Sequence, residues 1–285
     1  MASDHVLRAV TEDGAFRVIA ALTTETARGV LGAQKVRGPF ARRLADLVTA
    51  TVLVRETMAP DLRVQAILSD GKRNRFSADA MPEGITRGLS QLVAGATAGI
   101  LETMNHLTVM RSLHNGALQQ GQVMLDAARP VADALMEYFR VSEQVASFVA
   151  IGSRFAGDEL GAAAGYVVQL LPEVTEAPLQ MMTERLASFP PVEALLADTA
   201  ATAADPQRVL GRLLDGVPHK QTARNDVRFG CNCSAERVLA SLATLPPHDL
   251  AELIAADEVL EIGCDYCGKQ YKIAPEHLRG LLSNN

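Results

Sequence analysis

The sequence predicts an α+β fold in three parts: an N-terminal mixed-sheet domain packed with helices over residues 1–177, a helical linker over 178–230, and a small C-terminal domain over 231–285. Three observations carry this. Strand-like and helix-like segments interleave without a regular strand–helix–strand period, which disfavours a doubly wound sheet. From Pro178 the pattern turns to short amphipathic stretches punctuated by Pro190-Pro191 and Asp205-Pro206. All four cysteines fall in the last fifth of the chain. A length of 285 residues suits about two domains, and 48% hydrophobic content supplies a core and excludes wholesale disorder.

Phe16–Leu22 is rich in strand formers. Residues 39–54 read as a helix with Leu44, Leu47, Val48 and Thr51 at three- and four-residue steps, stopped by Pro60-Asp61. Leu62, Val64, Ala66 and Leu68 alternate with polar or small neighbours, as a half-buried strand does, before a turn at Asp70-Gly71. Residues 106–113 and 119–125 read as two strands joined through His114-Asn115-Gly116. Residues 131–148 read as helix and 166–171 as a buried strand ending at Pro172. In the linker, Leu179, Met182, Leu186 and Phe189 suggest a helix. An alanine-rich stretch over 194–204 follows, and Asp205-Pro206 opens a helix leading to Leu210, Leu213 and Leu214. Helices this short are marginal in water, so the order of 178–230 is expected to depend on docking. In the tail, Ser234 is a good N-cap for a helix carrying Val238, Leu239, Leu242 and Leu245. Leu250, Leu253 and Ile254 mark a second helix after Pro246-Pro247, and residues 259–262 and 270–273 form a small hairpin.

The cysteines follow the pattern C-x-C, thirty intervening residues, C-x-x-C: Cys231, Cys233, Cys264 and Cys267. Two thiol pairs separated by a foldable insert are what a closed tetrahedral zinc site requires, and thiolate is a soft ligand that suits zinc. One Zn2+ per chain is expected in the reduced state. Gly263 and Gly268 flank the second pair and fit its tight turn. The commoner role of a four-cysteine pattern is a purely structural zinc knob. The C-x-C shifts the balance, because it sets two sulfurs across a single residue, close enough to oxidise to each other once free of metal; Cys264 and Cys267 have dithiol spacing too. One constellation thus supports a reduced, metal-bound state and an oxidised, metal-free one. In so small a unit metal-binding free energy is folding free energy, so oxidation is expected to unfold it.

Charge and hydropathy narrow the partners. The chain has 27 basic against 33 acidic residues, and the segment 231–285 has four against eight, the wrong sign for a nucleic-acid binder. The longest apolar stretch, 92–101, is interrupted by Gly95, Thr97 and Gly99 and is far shorter than the ~20 residues a span needs. Residues 1–10 carry Asp4 and no apolar signal core, so a cytoplasmic location is expected, without membrane partners.

The run Val227-Arg228-Phe229-Gly230-Cys231-Asn232-Cys233-Ser234-Ala235-Glu236-Arg237, with Gly263-Cys264-Asp265-Tyr266-Cys267-Gly268 and Tyr271, resembles the 33 kDa redox-regulated heat-shock chaperone family, a bacterial holdase group. Tyr138-Phe139 with Ser142-Glu143-Gln144, and the run from Ala163 to Pro172, are similar to further family motifs, so the resemblance covers nearly the whole chain. The chain departs from the family at Ser69-Asp70-Gly71-Lys72-Arg73, at Ala164 and at Val145. The resemblance implies a redox switch at Cys231, Cys233, Cys264 and Cys267. Reduced and zinc-bound, the chaperone is inactive. Oxidants form the disulfides Cys231–Cys233 and Cys264–Cys267 and expel zinc, the tail and linker lose order, and unfolding client proteins are held without ATP. Oxidised members of the family are thought to dimerise. The resemblance implies no enzymatic activity and no catalytic residue.

Two rivals stand beside this reading. A dithiol oxidoreductase using Cys264 and Cys267 would want its C-x-x-C opening a helix in a thioredoxin-like setting, and here the motif lies between two strands. A static zinc-binding protein-interaction module is the stronger alternative. His219, His248 and His277 lie near the cysteines in sequence, but four thiolates already complete a tetrahedron. Met181-Met182 is read first as core, 72–75 as a solvated turn, and Ser142-Glu143 as structural. The chain has no phosphate-binding glycine loop.

Overall fold

The computed structural model describes residues 3–127, 129–197 and 204–282, and divides the chain into two compact units, Met1–Phe229 and Gly230–Asn285. In chain order the first unit holds β1 (His5–Thr11), β2 (Phe16–Leu22), α1 (Thr24–Gln34), α2 (Gly38–Glu56), β3 (Val64–Ser69), β4 (Arg75–Ala80) and β5 (Ile85–Gln91). Then come β6 (His106–Ser112), β7 (Leu118–Met124), α3 (Val131–Tyr138), β8 (Ser147–Ala156) and β9 (Glu159–Leu170). It closes with α4 (Glu176–Ser188), α5 (Val192–Ala197), α6 (Pro206–Leu213), β10 (His219–Asp226) and β11 (Arg228–Phe229). The strands form two sheets, of order β10-β1-β2-β9-β8 and β11-β5-β4-β3-β6-β7, antiparallel throughout except for the parallel pair β11–β5.

Between the sheets runs α2, apolar almost all round. Leu44, Leu47, Val48 and Leu53 pack with Ile19, Val167, Leu68 and Phe76 into one core. A helix buried on most of its surface cannot show a clean amphipathic stripe. The first sheet is buried on its other face as well. There Phe16, Val18, Tyr166 and Val168 meet Met182 of α4, Leu195 of α5, and Leu210 and Leu213 of α6. A strand covered on both faces reads as a continuous apolar run, and Val18, Ile19, Ala20 and Ala21 are indeed all buried. The Asp205 carboxylate accepts the Gln207 N–H, with Pro206 in the first helical position of α6, as the local sequence dictates.

Three expectations need correction. The helix read over 131–148 ends at Tyr138. A π-turn over Phe139–Glu143 follows, and from Ser147 the chain is β8, paired with β9. Glu143 accepts hydrogen bonds from Tyr138 Oη (2.5 Å) and Arg111 (2.8 Å), which fixes that turn and gives the Ser142-Glu143 motif a structural job. The stretch 178–230, read as helices alone, also carries β10 and β11. β10 pairs along the whole of β1, and Asn225 donates to the buried Glu56 carboxylate (2.7 Å), which Arg8 and Arg55 also engage. Its sequence HKQTARND shows no apolar alternation because it is an exposed edge. β11 lies at the edge of the second sheet, with Phe229 so close over Gly29 that a Cβ there would collide with the ring. The third correction concerns Gly263, which lies in a strand of the second unit and outside the tight turn. Of the alanine-rich stretch, residues 198–203 lie outside the described residues.

The second unit has α7 (Ala235–Leu242), α8 (Pro247–Ala255), a two-stranded ribbon of β12 (Leu260–Gly263) and β13 (Gln270–Ile273), and α9 (Pro275–Leu282). Ser234 Oγ accepts the Arg237 N–H, the predicted N-cap. Its core is four buried residues, Leu250, Tyr271, Ile273 and Leu278, with Val238, Leu239, Leu242 and Cys233 packed around them. No helix among the described residues is long and apolar enough to cross a membrane.

Candidate metal centre

Each sulfur is carried by a short local device. Cys231 and Cys233 sit on the extended segment just before the Ser234 cap. Cys264 and Cys267 sit on the turn that joins β12 to β13, closed by Cys264 N–H to the Lys269 carbonyl (2.9 Å) and Gly268 N–H to the Cys264 carbonyl (2.7 Å). Gly268 occupies φ +73°, the left-handed region that this turn demands and that glycine enters without steric cost. Gly263 does not share that role. It is a strand residue opposite Gln270, and only the movable end of that side chain lies near where a Cβ at 263 would be.

The ribbon and α7 bring all four cysteines together. Their sulfurs lie within 4.8 Å of one another, with Cys231–Cys264 at 3.7 Å and Cys233–Cys267 at 3.4 Å. A zinc ion with bonds of about 2.3 Å sets tetrahedral ligands about 3.8 Å apart, so the spacing and the soft donor set fit one such ion. No other group of three or more His, Cys, Asp or Glu among the described residues converges in this way. His219, His248 and His277 are not in the cluster. His219 contacts the Val217 carbonyl and His248 the Asp249 carboxylate.

The electrostatics single out one sulfur. Burial pushes the Cys267 thiol up to about 12 and raises Cys264 as well. At Cys233 burial acts in the same direction, but hydrogen bonds from Tyr271 and the neighbouring thiols outweigh it and bring the group down to about 7. Tyr271 Oη donates to Cys233 Sγ at 3.0 Å, and that bond holds the phenol protonated well above its usual range. Without metal, Cys233 therefore gives up its proton more readily than Cys264 or Cys267. Lys269 stacks its ammonium 5.2 Å from the Tyr271 ring. Residue types and spacing found the four sulfurs. Tyr271 stood out only as part of the family resemblance, with no role attached, and its bond to Cys233 comes from the structure.

Known proteins match nearly the whole length of the chain. The family model described as Hsp33 protein matches residues 4–274. The 33 kDa chaperonin of Syntrophotalea carbinolica is 29% identical, with 98% of this chain and 99% of that one covered. That of Geobacter sulfurreducens is 28% identical over 98% and 95%. The crystal structure of the 33 kDa chaperonin, a heat shock protein 33 homolog, from Thermotoga maritima superposes with a TM-score of 0.80 over 99% of both chains at 20% identity, and shows the same fold. With the match running from β1 through the four-cysteine unit to the end of β13, the chain belongs to the Hsp33 family of chaperones, which are holdases and not enzymes.

Proposed function

We propose that the chain is a redox-regulated, ATP-independent holdase of the cytoplasm, silent when reduced with one Zn2+ on Cys231, Cys233, Cys264 and Cys267, and active when those thiols are oxidised. The observation that carries the reading is the convergence of four sulfurs in a unit with four buried apolar residues in its core among the described residues. Such a unit draws much of its folding free energy from the bound metal. Bound there, zinc supplies charge neutralisation for the thiolates and a tetrahedral tie across the thirty-residue insert.

Oxidation removes that tie. In forming Cys231–Cys233 and Cys264–Cys267, each pair of zinc-held thiolates gives up two electrons, which with two protons from solvent reduce one peroxide to two waters, and Zn2+ leaves as the aqueous ion. A disulfide sulfur is no longer a thiolate ligand, so the metal-binding set is lost. The within-turn pairing is the one the family resemblance implies. All four sulfurs lie within 4.8 Å of one another. Tyr271, which donates to Cys233 Sγ at 3.0 Å, is placed to stabilise negative charge on that sulfur.

Loss of the metal then exposes apolar surface. The linker helices cover the outer face of the first sheet with Met182, Leu210 and Leu213, while Leu179 stays 38% exposed. Once α4–α6 lift away, both they and Phe16, Val18, Tyr166 and Val168 need another partner, and an unfolding client offers one. Oxidised chains are also proposed to dimerise. The test is to treat the reduced, zinc-loaded protein with hydrogen peroxide while following zinc release with a chromogenic chelator and the aggregation of a denatured reporter enzyme by light scattering. Zinc release and protection of the reporter should rise together. Zinc retained under peroxide, or protection indifferent to it, would leave a static interaction module.

A further inference from the structure

We infer that β7, the free edge of the second sheet, is a self-association surface that pairs antiparallel with β7 of a second copy about a two-fold axis at Gly121. The inference concerns the reduced chain and does not rest on the proposed redox switch.

The backbone sets the register. β7 pairs with β6 from His106↔Met124 to Ser112↔Leu118 and, among the described residues, with no other strand. Just beyond each end of that ladder, Leu113 N–H donates to the Ala117 carbonyl and Leu125 N–H to the Asn105 carbonyl. In an antiparallel pair the bonded residues alternate, so the odd-numbered residues of β7 face β6 with their N–H and C=O groups. Those of Leu118, Gln120, Gln122 and Met124 point outward.

The side chains fit the same operation. Leu118 and Met124, each 70% exposed, are the most exposed large apolar side chains among the described residues, and both lie on β7. The strand reads LQQGQVM, nearly the same from either end. A two-fold at Gly121 sets Leu118 opposite Met124 of the second copy and Gln120 opposite its Gln122. All four such pairs fall on outward-facing backbone groups, so side-chain pairing and hydrogen bonding agree on one register. A one-residue slip would lose both. The strand carries no charge and no proline, hence no like-charge clash on the axis. The contrast is β10, one of the two edges of the first sheet, which carries Lys220, Arg224 and Asp226, the usual guard against edge pairing. The opposite face of β7 is already filled: Val123 is buried, and Tyr138 and Ser142 close over Gly121. The edge is thus preformed. One strand pair lies below the ~1,200 Å² of a standard interface, so association is weak and concentration-dependent.

Sedimentation velocity of the reduced, zinc-loaded full chain over a concentration series tests this. The sedimentation coefficient should rise with concentration. A Gln120→Lys/Gln122→Lys variant, which sets lysine against lysine at both central pairs, should stay monomeric with unchanged circular dichroism, and so should Gln120→Glu/Gln122→Glu. Mixing the two in equal amounts should restore association, because each lysine then faces a glutamate. In the unmodified chain, amide exchange at Gln120 and Gln122 should slow as concentration rises, while β10 exchanges as before. A wild-type chain still monomeric at about 1 mM, a lysine variant that associates as wild type does, or a mixture that fails to associate overturns the inference. So does a lysine variant that loses client holding while wild type stays monomeric, since the edge would then take clients rather than a second copy.

Discussion

In the first unit a nineteen-residue helix buries thirteen of its residues between two sheets, and a second apolar layer backs one of those sheets. The second unit buries four apolar residues beneath short helices and a two-stranded ribbon, and places four sulfurs at one point. Area removed from water stabilises the first unit, with each deeply buried large side chain contributing on the order of 2 kcal/mol. In the second little area is available, and on the proposed reading a metal at the four cysteines supplies the difference. That reading couples a sheet core held by buried apolar area to a unit whose folding is conditional on its chemistry.

Metal removal should break the comparison most visibly. Chelation of the reduced protein should abolish amide protection across 231–282 and leave α2 and both sheets protected, as read by hydrogen exchange, because structural zinc binding is worth about 10–16 kcal/mol. Cys233→Ser should have the same local effect, lowering zinc from one per chain and making client holding less dependent on oxidant. Unchanged zinc content in that variant would remove Cys233 from the ligand set.

Truncation of a buried leucine in each unit is the next test. Leu213→Ala empties a wholly buried site beneath the first sheet. It should cost about 2–5 kcal/mol in denaturant unfolding and raise binding of an apolar dye without oxidant, since α6 is loosened. Leu278→Ala empties an equally buried site in the second unit. Its effect should appear as weaker zinc affinity, with the main unfolding transition of the first unit unmoved. A shift of that main transition by Leu278→Ala would erase the distinction between the units.

Smaller effects come from turn geometry and from one buried carboxyl. Gly268→Ala forces a Cβ into the left-handed region, which costs about 1–2 kcal/mol. In a chelator competition, zinc should dissociate roughly tenfold more readily. In the first unit, burial raises the Asp46 carboxyl to about 6, although Ser153 Oγ donates to it at 2.7 Å. An acid raised on folding binds its proton more tightly in the native state. Its burial penalty is therefore fully present above pH 6 and is relieved as pH falls toward the unfolded value near 4. Asp46→Asn should raise Tm by a few degrees at pH 7.5 and change it little at pH 4. Equal shifts at both pH values would show that ionisation is not the cause.

Local signals proved readable where they were self-contained. Helix α2, the β6–β7 hairpin with its Asn-Gly turn, the Asp205 and Ser234 caps, and the ribbon around the C-x-x-C turn each have a cause within a few residues. β10 was not readable, because an exposed edge strand is defined by its partner β1 and not by its own side chains. The end of α3 was not readable either, since the apolar run continues into β8 and only pairing with β9 decides where helix stops.

For the metal centre the division is similar. Sequence alone determined the identity and spacing of four soft donors, because donor chemistry resides in the side chain and the C-x-C and C-x-x-C spacings are local. Only the tertiary structure decided that Tyr271 hydrogen-bonds Cys233 and lowers one thiol among four, and that helices α4–α6 lie on an apolar sheet face. Both depend on residues distant in sequence meeting at about 3–4 Å, a distance that spacing along the chain does not encode.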